Sequence, residues 1–174
     1  MESARKVLLV VVAMLALVAT DAAAGGFLKI EGINRESTDQ DHVGWIEVES
    51  WDWGIERSKR TGGGSSPGSS RVDFRDLSFA KLVDSATPML MLKCAEGSRL
   101  REAVLDVPLN GDRIGKIRLI MSNVQVTSVH VEETAGEDRP SEHISITFTE
   151  VKAIYEGSLG TVEFGWDIGR GRAL

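Results

Sequence analysis

DFRDLSFAKLVDSATPMLMLKCAEG, residues 73 to 97, changes its periodicity in the middle. Val72 and Phe74 alternate with charged neighbours, and Leu77 and Phe79 resume the alternation one step out of phase, which predicts a strand with a β-bulge near Asp76. After Lys81 the pattern becomes helical. Ser85 or Thr87 is placed to cap the helix, Pro88 suits its first turn, and Met89, Leu90, Met91 and Leu92 supply apolar bulk before Gly97 ends it. On either side the chain reads as strands. The expected fold is therefore mainly β, an antiparallel barrel or two-sheet sandwich with one short α-helix packed on its side.

The strands can be followed outward in both directions. On the N-terminal side, Leu28 and Ile30 share a face of a strand over Phe27 to Ile33. Residues 34–44 are polar and turn-rich. A second strand runs from Trp45 to Ile55, with Ile46 and Val48 on one face and Trp51, Trp53 and Ile55 taking over the bulky positions beyond Ser50. The two tryptophans suit the end of a barrel core, or a subunit interface, where aromatics are enriched. On the C-terminal side, Ala103, Leu105 and Val107 form a strand that Pro108 closes, and Asn110-Gly111-Asp112 signals a turn. Ile114 to Val131 is long enough for two strands meeting near Ser122 and Asn123. Glu132 to Pro140 is charged and expected to be exposed. Ile144, Ile146 and Phe148 share a face of a strand over Glu142 to Tyr155, and a turn at Gly157 to Gly160 leads to a last strand with Val162, Phe164 and Trp166. Eight or nine short strands suit one sandwich or barrel.

The first 24 residues have the order of an export signal. Arg5 and Lys6 precede the apolar run Val7 to Ala19, and Ala22-Ala23-Ala24 before Gly25 forms a small-residue cleavage pattern, with Ala22, Ala24 and Gly25 as its key positions. The apolar run is shorter than the roughly 20 residues that span a bilayer. Cleavage would leave residues 25–174 as a single domain in a secreted or periplasmic protein. Without cleavage the chain would be cytoplasmic before secretion. The formal charge of −6 and the lack of a basic cluster speak against nucleic acid or an anionic membrane as partner of the mature form. Cys94 is the single cysteine of the 174 residues, so no disulfide forms within the chain, and its place in the helix suits a buried thiol.

Candidate chemistry is sparse. His130 and Glu132 are at strand spacing and could begin a metal site, but nothing supplies further ligands at a recognisable spacing. His42, His130 and His143 are therefore expected to be surface residues. Asp39 and Asp41 lack the glycine and glutamate of a calcium loop. The segment TGGGSSPGSS, residues 61–70, lacks the Lys-Ser/Thr ending of a phosphate-binding loop, and no helix follows it directly. No nucleophile motif is visible. A non-enzymatic protein without cofactor or metal is the expectation, with a secreted hydrolase the remote alternative.

Several separated stretches resemble the Hcp family, the haemolysin-coregulated proteins of the type VI secretion system. They are FLKIEGINRES from Phe27, the Ser50-Trp51-Asp52-Trp53-Gly54 element, and the glycine-rich loop followed by VDFRDLSFAKLVDSATPMLM. GEDRPSEHISITF and the closing VEFGWDI complete the set, which spans nearly all of Phe27 to Ile168. The resemblance implies a two-sheet β-barrel with a flanking helix, assembled as a hexameric ring with a wide channel. Such rings stack into the inner tube of the secretion machine and can carry small effectors, so sheath, spike and effector proteins are the implied partners. The loop Gly62, Gly63, Gly64, Ser65, Ser66, Pro67, Gly68, extending to Ser70, would contact neighbouring subunits or rings, and Phe164-Gly165-Trp166 would belong to the last barrel strand. The family brings no catalytic residues. Its members build tubes in the cytoplasm without a signal peptide, and the export-like N-terminus departs from that pattern. The alternative expectation is an exported binding module that keeps the fold and acts outside the machine.

Overall fold

In the computed structural model, the structure describes residues 25–33, 37–58, 71–109, 115–133 and 138–174. The strands are β1 (Gly26–Ile30), β2 (Ile46–Val48), β3 (Ser50–Asp52), β4 (Ile55–Ser58), β5 (Arg71–Phe74), β6 (Leu77–Leu82), β7 (Arg99–Leu109), β8 (Gly115–Glu132), β9 (Ser141–Thr147), β10 (Glu150–Gly157), β11 (Gly160–Asp167) and β12 (Arg172–Ala173). The only helix among the described residues, α1 (Thr87–Glu96), lies between β6 and β7.

A circuit of antiparallel pairings closes a barrel. β1 pairs with β2 and β7, β7 with β8, β8 with β9, β9 with β6, and β6 with β3. β2 and β3 are two parts of one stretch, joined at Glu49, whose amide donates to the Ala80 carbonyl at 2.9 Å. Where the circuit pairs a strand on both sides, it covers the open edge that is the usual hazard of an antiparallel sheet. Inside, Leu28, Ile30, Ile46, Val48, Leu77, Phe79, Leu105, Met121, Ile144 and Ile146 are buried in one cluster.

β8 is the central element. Its first part, Gly115 to Ser122, pairs with β10, and its second part, Gln125 to Glu132, pairs with β9. The bend falls at Asn123, whose φ of 56° is a left-handed conformation that asparagine tolerates better than most residues. The Asn123 amide group donates to Thr149 Oγ1 at 3.1 Å, tying the bend to the break between β9 and β10. The expected meeting of two strands at Ser122-Asn123 is thus a bend within one strand. The expected strand over Glu142 to Tyr155 breaks at Phe148-Thr149 but stays beside β8 throughout, with Ile144, Ile146 and Phe148 buried. β11 and β12 continue from β10 to one side.

Two other expectations are corrected. The phase change near Asp76 is a change of sheet and not a bulge. β5 pairs with β4 in a separate two-stranded sheet, β6 joins the barrel, and the Arg75 amide donates to the Gly54 carbonyl between them. The expected strand from Trp45 to Ile55 is likewise divided into β2, β3 and the start of β4, because each piece has a different partner. The turn at Asn110 to Asp112 lies outside the described residues.

The helix packs on the barrel through Leu90, which is fully buried, while Cys94 is half-buried against the core. Pro88 lies in its first turn and Gly97, at φ 62°, ends it as expected. Neither Ser85 nor Thr87 is the cap. Ala86 occupies that position without a side-chain hydrogen bond; Asp84 Oδ1 accepts from the Ala86 amide at 2.6 Å, and Thr87 Oγ1 from the Asp84 amide at 3.2 Å. Asp84 therefore orders the turn ahead of the helix in the manner of an Asx turn.

Candidate assembly surfaces

Three parts of the molecule stand out on the barrel surface. The first is the outer side of α1, where Met89, Met91 and Leu92 are exposed although the helix has Leu90 to anchor it. An amphipathic helix on a monomer normally directs polar residues outward. The second is the hairpin of β10 and β11, which exposes Tyr155, Leu159, Val162 and Phe164, with exposed Leu174 just past β12 bonded by its amide to the Gly165 carbonyl of β11. Leu159 is at the hairpin tip and entirely in solvent. The third is the arm made by β4 and β5, which carries the glycine-rich segment.

The arm is fixed at its base. Phe74 of β5 stacks on Trp166 of β11 with centroids 6.2 Å apart, and Trp166 stacks in turn on Phe164 at 6.4 Å. Arg75 pairs with Glu56 across the two exposed strands. The alternating Val162, Phe164 and Trp166 thus do two jobs: Trp166 receives the arm, while Val162 and Phe164 face outward. The loop positions Gly62, Gly63, Gly64, Ser65, Ser66, Pro67 and Gly68 lie outside the described residues, as do Ala22 and Ala24. Gly25 is described, and a Cβ there would stand 2.4 Å from the Glu49 carbonyl oxygen, so a side chain at 25 would force the backbones apart.

Two polar clusters brace the barrel. Lys81 of β6, almost fully buried, places Nζ 2.5 Å from Glu142 Oε1 of β9 and 2.8 Å from Asp84 Oδ1, and donates to the Leu82 carbonyl at 2.8 Å. Thr87 at the start of α1 donates to the same Glu142 oxygen at 3.0 Å. Helix, β6 and β9 therefore meet at one ion cluster. A lysine between Ala80 and Leu82 in a period-two strand should have signalled an inward charge, because its side chain shares the face of Leu77 and Phe79.

The second cluster contradicts the expectation for His42. That ring is buried, stacked on Phe27 at 4.1 Å and edge-on to Trp45 at 5.0 Å. Its Nδ1 lies 2.7 Å from Asp39 Oδ1 and its Nε2 3.3 Å from Asp106 Oδ2, and Arg118 also binds that Asp106 oxygen, at 2.5 Å. The polar segment before β2 is thereby clasped to β7 and β8. Its hydrogen bond to His42 holds the Asp39 carboxyl below the ordinary aspartate range, as the Arg170 amide does for Asp167 and the Ser98 hydroxyl for Glu96. Asp39 three residues before His42, in an Asx-rich turn, was the available signal. Its distant partner Asp106 left none.

Among the described residues no three histidine, cysteine or acidic side chains converge to hold a metal. His130 and His143 are exposed, as expected, and Trp51 and Trp53 pack half-buried against the core. The described residues thus form a closed antiparallel barrel with a flanking helix, a two-stranded arm and outward apolar side chains. The chain belongs to the Hcp family: the family model described as "Type VI secretion system effector, Hcp" matches residues 27–155. Protein hcp1 of Pseudomonas aeruginosa is 32% identical over 151 residues, covering 82% of this chain and 93% of that protein. The crystal structure of Hcp1 from Salmonella typhimurium superposes with a TM-score of 0.71 at 29% identity, covering 86% of this chain and 97% of that one. The structure of a type six secretion system protein, 24% identical, shows the same fold at a TM-score of 0.77 over 87% of this chain and all of its own. The expected family and fold class are both borne out, and the protein is a type VI secretion tube or effector protein of the Hcp kind.

Proposed function

We propose that the protein works as a ring of about six copies, whose stacking would build the inner tube of a type VI secretion machine or a secreted effector carrier, and that it performs no catalysis. The observation that supports a ring is the pair of separate apolar faces, Met89, Met91 and Leu92 on the helix and Leu159, Val162 and Phe164 on the β10–β11 hairpin. Apolar patches of this kind mark contact sites. Two different faces suit a heterologous contact, which repeats until the rotation closes. In this reading the sequence segment from Gly62 to Ser70, between β4 and β5, contacts the next copy or the next ring, and sheath, spike and effector proteins are the further partners.

Sedimentation of the purified protein tests this. A species of about six subunits is expected, and replacing Gly62 to Ser70 with a tight turn should weaken association or stacking while the circular dichroism of the barrel stays unchanged. A strictly monomeric parent at high concentration overturns the ring.

The N-terminal pattern of Arg5, Lys6, Val7 to Ala19 and Ala22 to Ala24 favours a second reading, an exported binding module acting outside the machine. Here residues 25–174 are the working domain, secreted or periplasmic. Mass determination of the N-terminus decides it: Gly25 first supports export, and intact Met1 removes it.

A further inference from the structure

The outer face of the sheet formed by β3, β6, β9 and β8 carries a feature that no assembly surface uses. His130 of β8 and His143 of β9 are direct partners in the antiparallel ladder. Their neighbours Glu142 and Ile144 point into the core, so His143 faces out, and both histidines are exposed. Among the described residues neither ring makes a hydrogen bond or ion pair, in contrast to His42, which is held on both nitrogens.

We propose that His130 and His143 form a two-imidazole chelate for a divalent transition-metal cation of the borderline kind, Cu²⁺, Ni²⁺ or Zn²⁺. Residues opposite one another on antiparallel strands hold their Cβ atoms about 5 Å apart. Two nitrogens on one tetrahedral metal, each at about 2.0–2.1 Å, are about 3.3 Å from each other. Rings carried at that Cβ separation converge to that spacing with ordinary rotamers, and the rigid barrel ladder holds them facing. Beside the pair lies a cleft of about 320 Å³ whose lining includes Ser50, Trp51, Asp52, Ser78, Ala80 and Ser145. Ala80 is the ladder partner of His143 on its other side, so only a methyl group stands directly across from that ring on β6. Since no third histidine, cysteine or acidic group converges there among the described residues, the remaining coordination positions fall to water or to a donor brought by a ligand. The chain's formal charge of −6 favours a cation at its surface.

Imidazole donors select against hard cations such as Mg²⁺ and Ca²⁺, which require oxygen ligands. Affinity should instead follow the order in which Cu²⁺ exceeds Ni²⁺ and Zn²⁺. The proposal does not depend on ring assembly, because both ligands come from one chain. Its test is calorimetric titration of untagged full-length protein with NiCl₂, CuCl₂ and MgCl₂. One equivalent of Cu²⁺ or Ni²⁺ per chain and no Mg²⁺ are expected. His130→Asn and His143→Asn should each weaken binding about tenfold or more, and the double variant should abolish it with unchanged circular dichroism. The Cu²⁺-loaded parent should show electron paramagnetic resonance couplings from two equatorial nitrogens. Absence of Ni²⁺ and Cu²⁺ uptake, uptake unchanged in the double variant, or a single-nitrogen spectrum overturns the chelate.

Discussion

Lys81 and Glu142 face each other inside the barrel, 1% and 0% exposed, where an unpaired charge would be costly. Removing one member leaves the other uncompensated, whereas removing both lets apolar side chains fill the space. Lys81→Met should therefore destabilise the protein by about 3 to 5 kcal/mol, while Lys81→Met with Glu142→Leu should recover most of that loss. Denaturant midpoints of the two variants and the parent check this. Equal midpoints for the single and double variants would show that the cluster matters for its shape and not for its charge balance. A related expectation concerns acid. Asp39, Asp167 and Glu96 all titrate below their ordinary values of 3.8, 3.8 and 4.5, chiefly through hydrogen bonds from His42, the Arg170 amide and Ser98. A carboxyl with a lowered folded value contributes stability that is complete above the ordinary value and fades as pH falls through the folded one. Thermal midpoints should accordingly be level down to about pH 5 and fall below about pH 4. Asp39→Asn should flatten part of that fall, since it takes one of the three carboxyls out of the titration.

At the scale of elements, the helix shows what one buried residue does. Leu90 is fully buried and Leu92 is 46% exposed, although both sit in one apolar run. Leu90→Ala should cost about 2 to 5 kcal/mol, and Leu92→Ala much less in an unassembled subunit. Calorimetric melts of both variants separate them; two parent-like melts would mean that α1 is not packed on the barrel. At this scale the elements legible in the sequence are those set by local pattern. Alternation at Ile144, Ile146 and Phe148, the helix after Pro88 and its stop at Gly97 all follow from neighbours a few residues apart. Illegible were the changes of partner. Glu49 and Arg75 end strands because the next residues bond to a different strand far away in the chain, while Thr149 marks the point where the partner on the side away from β8 changes from β6 to β11, and nothing in the alternation records those partners. For the same reason the burial of His42 is not legible in the sequence: Phe27 and Asp106 meet at its ring only once β1 and β7 have paired.

The whole molecule poses a problem of surface. A closed barrel satisfies its hydrogen bonds internally, so burial of exposed apolar side chains is what remains to drive association. The helix face and the β10–β11 hairpin present such side chains at two separate places, and one must meet the other if copies are to close a ring by repeating a single contact. A charge on either face should then break the same contact. Leu92→Glu and Val162→Glu alter residues that are 46% and 70% exposed, so neither substitution buries a charge in the isolated subunit. Both variants should keep the circular dichroism and melting point of the unassembled barrel, and both should sediment as smaller species than the parent. Mixing the two should not restore full rings, because a closed ring uses every copy's two faces and each variant still brings one damaged face. If Leu92→Glu and Val162→Glu sediment like the parent, these faces lie outside the subunit contact, and association must run through the arm between β4 and β5.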